Sequence, residues 1–158
     1  MAEDPKNSIE IIDYTDELKE KFKELNYEWI IKLFKPEQHD IEVLSDPEQY
    51  ILENGGHIFF AKQNEEIIGT AALIRVDNTT FELSKMGVTE NARGTGAGNL
   101  LIQHCINFAT ANHSKTLILY SNTVLGPAIH LYEKYGFYEV PLEGAQHKRA
   151  NIKMKKDL

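Results

Sequence analysis

Apolar residues change their spacing several times along the chain, and each change predicts an element. Ile9-Glu10-Ile11-Ile12 is short and β-branched and predicts a first strand. Thr15, followed by Asp16 and Glu17, reads as an N-cap with acids in the first turn of a helix. That helix runs to about Leu33-Phe34 and is broken at Pro36. A second helical stretch is expected from about Asp46-Pro47 to Leu52, ended by Gly55-Gly56. His57 to Lys62 and Ile67 to Val76 read as strands of a hairpin turning at Asn64-Glu65. Thr79 to Val88 is a fourth strand, Gly96 to about Asn112 a helix, and Thr116 to Tyr120 a fifth, buried strand. A helix then opens at Pro127 and closes at Gly136, a residue suited to a left-handed cap. Strands near Phe137 and from Asn151 to Met154 complete the order βααβββαβαββ.

The junction after the fourth strand carries the strongest chemical signal. Lys85-Met86-Gly87-Val88 leads through a short polar turn to Arg93-Gly94-Thr95-Gly96-Ala97-Gly98-Asn99, where the next helix begins. Side chains are stripped from a helix start, whose bare N–H groups and positive dipole end favour a phosphate. Arg93 adds a fixed charge with a planar donor fork. A P-loop needs Gly-Lys-Ser/Thr after the glycines, and here Asn99-Leu100 follows. A dinucleotide fingerprint fails too: the third glycine falls one position early, and the region about 20 residues on is the apolar run Leu117-Ile118-Leu119. What remains is Arg-x-x-Gly-x-Gly, or a plain strand-to-helix corner.

A second motif bears on that choice. Ala128 to Phe137 reads Ala-Ile-His-Leu-Tyr-Glu-Lys-Tyr-Gly-Phe, about 35 residues beyond the loop. Loop and helix together resemble the GNAT superfamily of N-acetyltransferases, and the resemblance covers roughly Ile9 to Leu158. It implies an α/β (α+β) fold, a mixed and mostly antiparallel sheet of about seven strands with helices on both faces. The fourth and fifth strands would splay apart and receive acetyl-coenzyme A in the gap.

The same resemblance assigns roles. Arg93, Gly94, Thr95, Gly96, Ala97, Gly98 and Asn99 would bind the pyrophosphate, and a bulge at Met86, Gly87 and Val88 would serve the thioester and pantetheine. Glycine tolerates unusual backbone angles, so Gly87 makes a bulge cheap. Tyr132 would protonate the leaving thiolate, with Tyr120 or Tyr135 as substitutes, and Glu82 would take the amine proton through water. Plainer readings place Tyr132 in the core and leave Glu82 as a solvated strand charge. Many family members carry an asparagine seven residues before the tyrosine; here that position is Leu125, and Asn122 or Ser121 is the nearest substitute. In this the chain looks like the camello-type and related bacterial branch. The competing function on the same fold is a non-catalytic acyl-coenzyme A binding or sensing module.

Bulk properties narrow the setting. With 158 residues, 42% hydrophobic and 26% charged, the chain suits one soluble domain, expected over 9–158 after a flexible stretch 1–8. No window approaches the ~18 apolar residues of a membrane span, and the start Met1-Ala2-Glu3-Asp4 lacks a signal-peptide core. One cysteine, Cys105, fits a reducing cytoplasm and reads as a buried filler. The six histidines show no metal-ligand spacing, so no metal is expected. A net charge of −7 argues against nucleic acid. Residues 1–53 hold 15 acids against 6 lysines, with Glu24, Glu28, Glu37, Asp40 and Glu42 near the break at Pro36. If that cluster faces the cleft, the acceptor is a cationic small amine or lysine-like group. A homodimer is left open.

Overall fold

The computed structural model describes residues 8–145 and 147–158, so the expected flexible terminus lies outside it apart from Ser8. Seven strands form one sheet: β1 (Ile9–Asp13), β2 (His57–Gln63), β3 (Glu66–Asp77), β4 (Thr80–Val88), β5 (Thr116–Ser121), β6 (Tyr138–Val140) and β7 (Ile152–Asp157). Their spatial order is β1-β2-β3-β4-β5-β7-β6. Neighbours are antiparallel except β4 and β5. The helices are α1 (Lys19–Leu33), α2 (Gln38–Ser45), α3 (Ala97–Ala111) and α4 (Gly126–Lys134).

Both faces of the sheet are covered, which is why β2 reads as an unbroken apolar run. Phe59 and Ala61 pack with Leu101, Ile102 and Cys105 of α3, while Ile58 and Phe60 pack with Phe22, Ile30, Val43 and Leu44 of α1 and α2. The β2–β3 hairpin turns where expected: Asn64 and Glu65 have φ of 51° and 66°, the left-handed pair that a tight two-residue turn requires.

The region after α1 differs from expectation. The helix predicted over residues 46–52 is one π-type turn, Glu48–Leu52, and the regular helix α2 precedes it. Its start went unseen because Glu37, rather than a short polar residue, occupies the cap. Glu37 and Asp40 close a reciprocal capping box, with the Glu37 N–H donating to Asp40 Oδ2 at 2.8 Å. Thr15 stands at the expected boundary but makes no side-chain cap, and it introduces the 3₁₀ turn Asp16–Leu18 before α1.

The decisive local event lies in β4. Thr70 faces Gly87 and Ala72 faces Ser84, so Lys85 and Met86 together oppose Ala71. Lys85 sits at φ 49°, a left-handed angle inside a strand. The bulge is thus centred on Lys85-Met86, one step before the glycine expected to make it cheap. Gly87 answers another constraint: a Cβ there would lie 2.7 Å from Trp29 Cδ1 of α1. Parallel pairing of β4 with β5 stops at Glu82 and Ile118, and beyond it the strands diverge.

Candidate active site

The divergence opens a cleft of about 730 Å³. One wall is the loop into α3, a second the bulged part of β4, a third the end of β5 with the start of α4, and the last Trp29, Phe34, His147 and Arg149. Gly96 has φ 91° with open space around its α-carbon, so conformation rather than packing selects glycine there. Arg93, Gly94, Gly96, Ala97, Gly98 and Asn99 line the cleft, as do Met86, Gly87 and Val88. Thr95 does not: its hydroxyl donates to the Ala92 carbonyl at 2.6 Å and accepts from the Ala97 N–H at 3.4 Å.

Glu82 and Tyr132, the two expected acid–base groups, both face this space. Glu82, on the cleft side of β4, is pushed up to about 7 by burial, against the charges of Lys85 and Lys153 and a hydrogen bond from Ser84. It therefore differs from a solvated strand acid. Desolvation pushes the Tyr132 phenol up to about 12, so it stays protonated at neutral pH. Its ring is also edge-on to Phe137 at 6.0 Å, so core and cleft share this residue. The alternative hydroxyls are committed elsewhere, Tyr120 to the Glu143 carbonyl at 2.7 Å and Tyr135 to Asn99 Oδ1 at 2.9 Å.

Asn122 reaches the cleft but spends its side chain on the protein. Its Nδ2 donates to the Arg149 carbonyl at 2.7 Å and its Oδ1 accepts the Val124 N–H at 2.8 Å. Leu125 lines the cleft, placing an apolar surface at that position. Cys105 is fully buried, and desolvation alone pushes its thiol to about 12, which removes it as a nucleophile at neutral pH.

Sequence reasoning missed a buried ion network on the last wall. Asp40 is fully buried; its Oδ1 accepts Lys85 Nζ and Arg149 Nη2, each at 2.7 Å, and its Oδ2 accepts Arg149 Nη1 at 2.6 Å. Burial alone would raise the Asp40 carboxyl, but the hydrogen bonds from Arg149 and Lys85 outweigh it and hold the group well below the carboxylate range. Glu37 accepts the backbone N–H groups of Lys148 and Arg149 at 2.9 and 3.4 Å. His147 lies 3.3 Å from Lys85 Nζ through Nε2, and burial lowers it to about 4. Glu37, Asp40 and His147 bring ligand-type atoms within 4.8 Å of one another, across 110 positions of sequence that hid them from a spacing search. Lys85 and Arg149 already occupy those carboxylates, so the cluster is an ion network. None of Glu24, Glu28, Glu37, Asp40 and Glu42 lines the cleft.

The comparisons agree with this geometry. A family model described as "Acetyltransferase (GNAT) family" matches residues 18–137. N-acetylaspartate synthetase of Xenopus tropicalis is 33% identical over 99 residues, covering 61% of this chain and 36% of that protein. Human N-acetyltransferase 8B is 26% identical over 93 residues, covering 56% and 41%. The chain thus spans about a third of the length of the first of these. Among solved structures, a GNAT-family acetyltransferase from Staphylococcus aureus superposes with a TM-score of 0.86 at 25% identity, covering 95% of this chain and 99% of that one. A GNAT-family acetyltransferase from Elizabethkingia anophelis, solved with acetyl-CoA bound, has a TM-score of 0.63 at 24% identity and coverages of 95% and 98%. The match to the family model over most of the chain, on a splayed sheet with a glycine-lined helix start, makes this protein a member of the GNAT acetyltransferase family.

Proposed function

We propose that the protein transfers an acetyl group from acetyl-CoA to a primary amine by direct attack in a ternary complex. The observation that carries this reading is a single cleft lined by a glycine-rich helix start, a strand bulge, a carboxyl poised near neutral pH and a protonated phenol. The relatives named N-acetylaspartate synthetase support placement in the camello-type branch, and the buried cysteine is in keeping with a cytoplasmic setting. No described helix is long and apolar enough to cross a membrane.

Arg93 and the amides of residues 94–99 suit the pyrophosphate, and the backbone at Met86 to Val88 suits the thioester oxygen and pantetheine arm. Acetyl-CoA supplies an acyl group activated as a thioester. The amine nitrogen bonds to the acyl carbon as the carbon–sulfur bond breaks. Glu82 takes the proton the amine loses, through a water, and Tyr132 gives one to the departing sulfur. A free thiol near ~8.5 would be a poor proton acceptor from a phenol at about 12. The proton is therefore shared as the carbon–sulfur bond breaks, in the transition state, rather than handed to a free thiolate.

Three measurements follow from these assignments. An amine panel monitored by free-thiol release tests the function itself, and the absence of release with every amine would contradict it. Gly96→Asp puts a side chain and a negative charge at a left-handed position beside the expected pyrophosphate. Isothermal titration should show acetyl-CoA affinity falling at least about tenfold; unchanged affinity would remove the phosphate assignment. Glu82 acts only when deprotonated, so kcat/KM should rise with pH through about 7. Glu82→Gln should erase that rise and lower kcat/KM about 10²-fold. A variant that keeps the same limb would reduce Glu82 to a strand charge.

A further inference from the structure

The last wall of the cleft, with the adjoining bulge of β4, is asymmetric in charge. Lys85, His147 and Arg149 face the cavity, whereas the acids that neutralise them, Glu37 and Asp40, stand outside its lining. Arg149 and Lys85 therefore stand on the cleft wall with their counter-charges behind them; burial lowers the Lys85 ammonium from its ordinary value, and the Asp40 carboxylate opposes that shift. His147 adds no charge: lysine can only donate, so Nε2 accepts from Lys85 and the neutral ring carries its proton on Nδ1. That Nδ1 is buried and has no hydrogen-bond partner among the described residues.

The cations are immobile and incompletely used. Arg149 lies over the rings of Trp29 and Phe34 at 5.4 and 5.9 Å, so its guanidinium is held from the side as well as by Asp40. Of five guanidinium donors it spends three, on Asp40 and Glu37, and Lys85 spends two of three. Lys85 is also close enough to Glu82 for their charges to interact, so the expected base and a buried cation are neighbours on β4.

Resting on the acetyltransferase reading, we propose that the acceptor is an amine that also carries a carboxylate, an amino acid or small amino-acid derivative. The carboxylate docks on the donors of Lys85 and Arg149 while the amine faces Glu82. An ammonium-bearing acceptor would meet these two cations instead of the acids clustered near Pro36.

The test compares matched acceptors at saturating acetyl-CoA: amino acids, their carboxamides and the corresponding decarboxylated amines, each followed by thiol release. The kcat/KM of the best acid should exceed that of its carboxamide by about 10²-fold or more, because the carboxamide brings no charge to the unused donors of Lys85 and Arg149. Lys85→Met should shrink that ratio at least about tenfold and Lys85→Arg should restore most of it, a rescue that follows charge rather than packing. Equal rates for acid and carboxamide in the wild-type protein, or a preference for cationic diamines, would overturn the proposal and leave the acetyltransferase reading intact. If no amine of any class released thiol, the acetyltransferase reading would fall and this proposal with it.

Discussion

Tyr132→Phe lowers kcat about 10²- to 10⁴-fold while acetyl-CoA affinity stays close to wild type. The substitution removes one oxygen and keeps the ring that packs edge-on against Phe137, so the fold around α4 is preserved. The lost hydroxyl makes no hydrogen bond to the described protein, and the other tyrosine hydroxyl of the cleft, that of Tyr120, is held by the Glu143 carbonyl. Because the phenol is pushed up to about 12, it remains protonated across the working range and imposes no falling limb near neutral pH. The expected signature is a kcat drop without a shift of the rising limb set by Glu82. Steady-state kinetics from about pH 6 to 9 check it. A variant with wild-type kcat and an unaltered profile would make Tyr132 a core residue only.

The largest stability effect should come from Asp40→Asn. The carboxylate is fully buried and is shared by Lys85 and Arg149, so losing its charge strands two cations away from water. Breaking one side of a buried ion pair costs about 3–5 kcal/mol, against about 0–1 kcal/mol for an exposed pair such as Lys32–Glu90. For a domain of this size that is a melting-temperature drop of roughly 10 °C, read by calorimetry. The folded-state carboxyl is depressed, so its contribution is present above the ordinary value of ~3.9 and is lost as pH falls through the folded one. The gap between wild type and variant should be flat from about pH 6 to 8 and close on acidification below ~4. A loss no greater than that of Lys32→Ala would show that the network contributes little.

What could be read in advance follows physical lines. The hairpin at Asn64-Glu65, the glycine-lined start of α3 and the Pro127 helix are local signals, where a few adjacent residues decide the backbone. Glu82 and Tyr132 could be named because a short motif or strand alternation fixes their side of an element. Helix α2 escaped notice because glutamate is an unusual cap, and its capping box works only through Asp40 at the third helical position. The left-handed Lys85 could not be seen in a strand-like run, since tertiary pairing with Asp40, 45 positions away, is what holds it there. Arg149 and His147 were invisible for the same reason: they meet Asp40 only through the segment between β6 and β7, more than 100 positions away. The acids around Pro36 read as a charged surface, yet Asp40 is buried, Glu37 ties down residues 148 and 149, and Glu28 accepts from Thr89 at 2.8 Å. Net charge along a segment does not say which way its side chains face.

The proposed reaction is direct acetyl transfer to an amine in this cleft. Initial rates measured while acetyl-CoA and an acceptor amine are varied together, with the acetylated amine identified by mass spectrometry, test it most directly. The expected result is acetylated amine formed in step with free thiol, intersecting reciprocal plots, and loss of both products together in Tyr132→Phe. Acetyl-CoA binding with no acetylated amine above the enzyme-free rate would contradict it and leave the cleft as a binding module.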